Sequence, residues 1–314
     1  MEDRKPKIGV VAVAAIVAWL IVPAEAGQKM QYKLKLEKGQ KYYAKMLAEQ
    51  KIDQTVMNQP QNVEQTIGLG WDLDVVDVDR SGNTEIRYTY RWAKLRLQGS
   101  MQQVIYDSSV KGGSVPEPAQ GLAALVGESY SLSIAPDGRV LIVKGAARMR
   151  ANVRKKLPAG LPGDLLMSSL AQYIDDKGIK EAAEASMAIL PNRPVSVGDS
   201  WSKRVVLSES TALIVQNKWT LKQRQAGTAT IDLVSTVEPN PQAPPRDLGT
   251  SKISSQFSGK QQGLIQLDET TGLIVHGKLE QQLSGEAKVL GPQQMSIPMK
   301  INSVVITETT ERKE

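Results

Sequence analysis

Apolar residues fall on every second position along most of this chain, and that rhythm constrains its fold more than any other feature. In "MQYKLKLEKGQ" Met30, Tyr32, Leu34 and Leu36 alternate with Gln31, Lys33, Lys35 and Glu37. A two-residue period buries one face of a pleated strand and wets the other. After a turn at "EKGQ", "KYYAKMLAEQKIDQTV" continues with a weaker alternation. "TIGLGWDLDV" sets Ile67, Leu69, Trp71, Leu73 and Val75 on one face, and the phase slip at Val75-Val76 predicts a bulge. "DRSGN" (79–83) closes a hairpin onto "TEIRYTYRW", where Ile86, Tyr88, Tyr90 and Trp92 share a face. "YSLSIAPDGRVLIVKG" (130–145) is a further hairpin around Pro136-Asp137-Gly138.

The period changes in the middle. Met149, Val153 and Leu157 stand four apart in "ARMRANVRKKL", one stripe of a helix. "LPAGLPG" breaks it. Asp164 suits an N-cap for "LLMSSLAQYID", with Leu166, Leu170 and Ile174 as its stripe. "KGIKEAAEASMAIL" is a third helix, stopped by Pro191. Strands then resume on odd positions: Trp201, Val205 and Leu207; Leu213, Val215, Trp219 and Leu221; Ile231, Leu233 and Val237. "PNPQAPPRD" (239–247) reads as an exposed loop, "GLIQLDETTGLIVHGKLEQQL" as a hairpin, and "MSIPMKINSVVIT" as a last strand. Pro298 argues for an edge position there. The tail "ETTERKE" is expected to fray.

The two strand-rich stretches echo each other. Gly39 and Gly198 each precede an aromatic by three residues (Tyr42, Trp201). "GWDLDV…SGNTEI" matches "KWTLKQ…AGTATI", and "YSLSIAPDGRV" matches "GLIQLDETTGLI". The expectation is a mainly β, antiparallel protein. Two similar β-halves (27–145 and 191–308) form a curved sheet or barrel, with a short helical connector (146–190) and a frayed tail (309–314). A curved sheet needs its concave apolar face covered, and the striped connector helices are the natural cover.

The N-terminus speaks to compartment. "MEDRKPK" is a charged leader, residues 8–22 are an apolar run, and "AEA" (24–26) fits signal-peptide cleavage after Ala26. Such a run makes ~22 Å of helix, short of the ~30 Å of a bilayer core. An uncleaved anchor is the alternative. The chain has no Cys, which removes disulfides, thiolate metal sites, cysteine nucleophiles and a lipid anchor on cysteine. Its net charge of +6 permits affinity for anionic surfaces but does not point to nucleic acid outside the cytoplasm.

Chemical motifs are sparse. The single His, His276, lies opposite Leu273, Val275 and Leu279, and no G-x-S-x-G elbow accompanies it. One His without Cys makes zinc a poor fit. "DVDRSGNTE" has the start of a calcium loop, but Tyr88 stands where a bidentate Glu belongs, so a plain hairpin turn is expected. Asp72 and Asp74 extend an acidic face that needs only water. Asp175-Asp176 point about 100° apart on a helix, which suits solvation. Arg148, Arg150, Arg154, Lys155 and Lys156 oppose a thin apolar stripe. That fits a helix lying on the protein's own sheet better than one on lipid. Tyr88, Tyr90 and Trp92 are the candidate ligand-binding residues. Exposed, they could stack on sugar rings; Arg87, Thr89 and Arg91 opposite them argue that they point inward as core. No catalytic residue, metal site or cofactor is assigned.

"LPNRPVSVGDSW" (190–201) resembles the segment that opens the second β-half of an exported bacterial domain-of-unknown-function family, with the pattern Leu-Pro-x-x-Pro-Val-x-x-Gly-Asp-x-Trp. The later "GLIQLDETTGLIV" hairpin is similar too. The resemblance implies an exported, mostly β protein and no activity or site residue. The functional expectation is an exported, periplasmic or extracellular, non-enzymatic protein. It would bind an apolar or amphiphilic ligand or an envelope partner, with peripheral membrane contact at most. A carboxylate-dependent glycan hydrolase and a structural envelope component are the alternatives.

Overall fold

The computed structural model describes residues 29–99, 103–208, 211–247, 251–291 and 294–312. The expected signal segment therefore lies outside the described residues. The first half supplies β1 (Lys41–Val56), β2 (Gln59–Val78), β3 (Thr84–Gly99), β4 (Gln103–Asp107), β5 (Ser129–Ile134) and β6 (Val140–Lys144), with α1 (Gln120–Leu125) between β4 and β5. The connector holds α2 (Ala146–Lys156), α3 (Leu161–Ser169), α4 (Ala171–Ile174) and α5 (Asp176–Met187). The second half supplies β7 (Ser200–Leu207), β8 (Leu213–Gln225), β9 (Thr228–Pro239), the two-residue β10 (Arg246–Asp247), β11 (Lys252–Asp268), β12 (Ile274–Leu290) and β13 (Met295–Glu311).

All pair antiparallel in one open sheet, ordered β6-β5-β3-β2-β1-β13-β12-β11-β9-β8-β7, with β4 beside β3 and β10 beside β11. Each half is a meander, and both run in the same direction across the sheet. The seam between them is β1 against β13. The repeat extends to single hydrogen bonds. Gly39 N–H donates to Val75 O (2.9 Å) and Val75 N–H to Gln40 O (2.9 Å); in the second half Gly198 N–H donates to Leu221 O (2.8 Å) and Leu221 N–H to Asp199 O (3.0 Å). Two residues inward, Tyr42 pairs with Leu73 and Trp201 with Trp219. The turn glycines matched in sequence, Gly39 and Gly198, Gly82 and Gly227, Gly138 and Gly272, all have positive φ, the region where a side chain is strained.

The connector joins the two edges, β6 and β7, and α5 contacts both. Glu184 Oε1 accepts from Val140 N–H and Glu181 Oε1 from Ser208 N–H, each at 3.1 Å. These carboxylates occupy backbone donors that an open sheet would otherwise leave bare. Of the predicted stripes, Met149 and Val153 on α2, Leu157 just after it, and Leu170 and Ile174 further on are buried, while Leu166 is half-buried. They join Leu69, Ile86, Leu132, Leu221 and Ile231 in the main core. Three of the five basic residues of this run form ion pairs, Arg150 with Asp175 (3.2 Å), Arg154 with Asp164 (3.0 Å) and Lys156 with Glu128 (2.8 Å).

Several expectations are corrected. α3 starts at Leu161, so Asp164 is in its first turn rather than at the cap; Pro162 is tolerated there because first-turn N–H groups have no helical partner. The alternation in residues 30–36 holds, with Tyr32, Leu34 and Leu36 buried, yet this segment joins no ladder beyond one bridge at Met30–Val195. It runs across the turns instead: Leu34 N–H donates to Pro136 O (2.8 Å) and Lys35 N–H to Thr271 O (2.9 Å). β13 is central, not an edge. Its last pair with β1 is Met299–Gln54, so Pro298 is paired on the β12 side alone and costs no ladder bond. The tail does not fray up to Arg312, whose N–H donates to Lys41 O (2.8 Å) and whose guanidinium meets Asp72 (2.6 Å). α1 and β4 had no forecast.

Candidate ligand-binding face

Three levels of side chains cross the concave face, and they follow from register. On the level nearer the helices stand Ile67, Ala48, Val305, Leu279, Leu233, Trp219 and Trp201. Two residues further along each strand, and so on the same face, comes a polar row. Gln65 pairs with Gln50, Gln50 with Ser303, Ser303 with Gln281, Gln281 with Gln261, Gln261 with Ser235, Ser235 with Asn217, and Asn217 with Lys203. Beyond it Val63, Ile52, Ile301, Leu283, Val237, Val215 and Val205 form a second apolar level.

The row is amide and hydroxyl across seven strands, with a cation only at the exposed edge. Ser235, Ser303 and Asn217 are buried. Ser235 Oγ donates to Asn217 Oδ1 (2.6 Å) and Ser303 Oγ to Gln281 Oε1 (3.1 Å). Gln50, Gln65 and Gln261 are half-buried and make no side-chain hydrogen bond among the described residues. Being only half-buried, these amides keep access to solvent and to the polar group of a ligand. From β13 to β7 the outer apolar level joins a second core, Leu213, Val215, Val237, Phe257 and Leu283, with Val205, Met299 and Ile301 against it; Ile52 and Val63 lie outside that core. Residues of β7 and β13 meet there because the sheet curls. Glycine opposite a bulky residue permits the curl: Gly285 faces Phe257 and Gly259 faces Leu283. A Cβ at either glycine would lie 1.9 Å from a carbonyl oxygen of the neighbouring strand.

The three aromatics named from sequence do not form one surface. Register slips between Gly70 and Trp71, so Tyr90 faces Trp71, Trp92 faces Gly70, and Arg91 is the extra residue. That bulge turns Trp92 to the opposite face. There it covers Gly68, donates from Nε1 to Asp107 Oδ1 (2.9 Å) and takes the Lys45 ammonium 5.1 Å from its ring centre. Tyr88 and Tyr90 point inward as core. Tyr88 stacks on Tyr130 (5.3 Å), and Tyr90 packs by Trp71 (5.7 Å) and donates to Tyr173 O (3.1 Å). Burial raises the pKa of both phenols.

Other titratable residues have structural partners. Asp72 is buried, not solvated: it is clamped by Arg91 and Arg312 beneath Tyr43, which ties the end of β13 across β1 to β2. Asp74 pairs with Arg87 (3.0 Å). His276 is exposed, 4.0 Å from Glu308. Asp79 accepts from Ser81 N–H, Asn83 N–H and Asn83 Nδ2, a hairpin turn that holds its carboxyl below the usual range. Among the described residues no group of three His, Cys, Asp or Glu could hold a metal ion. Glu49, Glu64 and Glu280 do meet at a shallow groove of about 410 Å³ with Lys51 and Arg96. Lys278 and Gln262, however, hold Glu280 below the usual carboxylate range, the opposite of what a general acid needs.

The polar row was missed from sequence, though it left a signal. Each apolar series in the second half skips one odd position: Lys203, Asn217 and Ser235. Only the register aligns these skipped beats.

Among solved structures the chain is similar to lipovitellin, in a structure concerned with lipid–protein interactions, with TM-score 0.47 and 9% identity over 89% of this chain. It spans about a quarter (26%) of that chain. It is also similar to OccK7 (OpdD) of Pseudomonas aeruginosa, with TM-score 0.23 and 6% identity over 88% of this chain and 100% of that one. Likeness at this level carries no functional argument. No curated protein matches the chain. A family model matches residues 81–274, and the chain belongs to that family, a family of unknown function (DUF6263).

Proposed function

We propose that this is an exported, non-enzymatic binding protein that holds an amphiphilic small molecule on the concave face beyond its helices. The observation that carries the reading is the banding of that face. Ile52, Val63 and Ile301 offer an apolar level to an aliphatic portion. Gln50, Gln65 and Gln261 offer donors and acceptors to a polar one. Pockets for such ligands combine an apolar lining with a few placed polar groups. The helices fill the other part of the concavity, which leaves this stretch for a ligand.

The test is native mass spectrometry of gently purified protein, followed by titration with a fluorescent fatty-acyl probe. Co-purified amphiphile, or saturable probe binding weakened about tenfold by Ile52→Asn, is the expected result; ~1.4 kcal/mol suffices for that change. Folded protein that carries no amphiphile and leaves the probe free defeats the proposal.

A further inference from the structure

Charge divides the two faces of the long strands. On β1, β2, β12 and β13 every second side chain faces the concave side. From Tyr42 to Val56, Gln59 to Val75, Gly277 to Val289 and Met295 to Thr309, not one of these inward residues is charged. Their neighbours in sequence are. Glu49 and Lys51 flank Gln50, Glu64 precedes Gln65, and Glu280 precedes Gln281, all on the convex side. The polar row continues uncharged through Gln261, Ser235 and Asn217 and reaches a cation only at the exposed Lys203 on β7.

The position of the row is as selective as its neutrality. Ile67, Ala48 and Val305 stand on one side of it and Val63, Ile52 and Ile301 on the other, and all six are half-buried. Each apolar level is two residues from the row, about 7 Å along the strands. A lipid with its polar group at one end would bond the row and cover one level only. A lipid with its polar group in mid-chain covers both. A glutamine amide donates and accepts, so Gln50 and Gln65 can bond the carbonyl of an ester or the N–H and carbonyl of an amide. They give an ionised carboxylate or phosphate no countercharge, and such an ion loses more than an ester does on leaving water.

We propose, building on the binding role given above, that the ligand is a neutral lipid whose ester or amide linkage lies between two hydrocarbon arms. The linkage bonds Gln50 and Gln65, and the arms run along the strands over the two apolar levels.

Three isomers with the same carbons and oxygens separate charge from position. Octyl octanoate has a neutral ester in mid-chain, methyl pentadecanoate a neutral ester at one end, and hexadecanoic acid an ionising group at one end. Each would be delivered from cyclodextrin to the full chain loaded with the fluorescent fatty-acyl probe, and each would be followed alone by native mass spectrometry. Octyl octanoate should displace the probe at about tenfold lower concentration than either isomer. Gln50→Lys, checked for folding by circular dichroism, should reverse the order in favour of hexadecanoic acid; if that variant does not fold, the order on the wild-type chain decides alone. Hexadecanoic acid ahead on the wild-type chain, methyl pentadecanoate equal or ahead, or an unchanged order in folded Gln50→Lys overturns this ligand and leaves the binding role standing. A chain that binds neither the probe nor any of the three isomers overturns the binding role, and this ligand with it.

Discussion

Removing Arg224 should destabilise the protein more than removing Arg224 and Glu269 together. Their side chains are 7% and 11% exposed, joined by Nε to Oε1 (2.6 Å) and Nη2 to Oε2 (3.2 Å). Tyr32 Oη adds a third bond to Glu269 Oε1 (3.0 Å), which fastens the N-terminal segment across the β8–β9 and β11–β12 turns. Arg224→Met leaves Glu269 charged, buried and without its main partner, at a cost of about 3–5 kcal/mol. Arg224→Met with Glu269→Leu removes both charges. What remains is the lost acceptor of the Tyr32 hydroxyl, about 1–3 kcal/mol, offset in part by new apolar contact. Urea titration should therefore place the single variant about 2 kcal/mol below the double at unchanged m-value. Hydrogen exchange at the Leu34 amide, bonded to Pro136 O, should speed up in the single variant first. A double variant as unstable as the single would refute the reasoning, because the ion pair would then contribute net stability beyond the burial of its own charges.

The tyrosines predict an alkaline limit. Burial raises the pKa of Tyr88, Tyr90, Tyr130 and Tyr173, and burial pushes Tyr42 up to about 12. A phenol with a raised folded pKa gives stability that is complete below its unfolded pKa near 10 and is lost as pH climbs toward the folded value. Absorbance at 295 nm should show these phenols ionising together with loss of circular dichroism above pH 10; smooth ionisation in a still-folded protein would contradict the burial. A second prediction concerns the edges. Glu181→Ala with Glu184→Ala should cost about 2–4 kcal/mol, because the Val140 and Ser208 amides lose charged acceptors. Bared edges should also make the variant self-associate by light scattering, and a monomer of wild-type stability would show that α5 does not seal them.

The strands were legible wherever one face is dry and the other wet, as in Ile231, Leu233 and Val237, because period two records burial directly. The repeat was legible through its turn glycines, since positive φ restricts what can stand there. Three things were hidden, each for a physical reason. Trp92 changes face through a single bulged residue, Arg91, which leaves no mark in composition. Residues 30–36 alternate like a strand because one side is buried, yet their backbone bonds go to separate turns, and side-chain rhythm says nothing about backbone partners. The polar row exists only as a relation between strands, so no window of sequence contains it.

Topology explains why helices and row share one face. Two meanders that run the same way and meet at β1 and β13 leave the end of the first half at one edge and the start of the second at the other. The chain between them has to cross the sheet. It can cross the convex side, wetting its stripes, or the concave side, burying Met149, Val153, Ile174 and Ile179 against strands that already present Leu69, Leu132 and Leu221. Burial of several such side chains at about 1.5–3 kcal/mol each decides for the concave side. On the first-half side the crossing is anchored at β6, 5 residues long, whereas β2, β11, β12 and β13 run to 17–20; on the other side α5 follows β7 as far as Ser208. The helices can therefore cover only one end of the long strands. The length left over on β1, β2, β12 and β13 carries most of the polar row and the second apolar level, so the same duplication that requires a plug also produces the face it cannot cover.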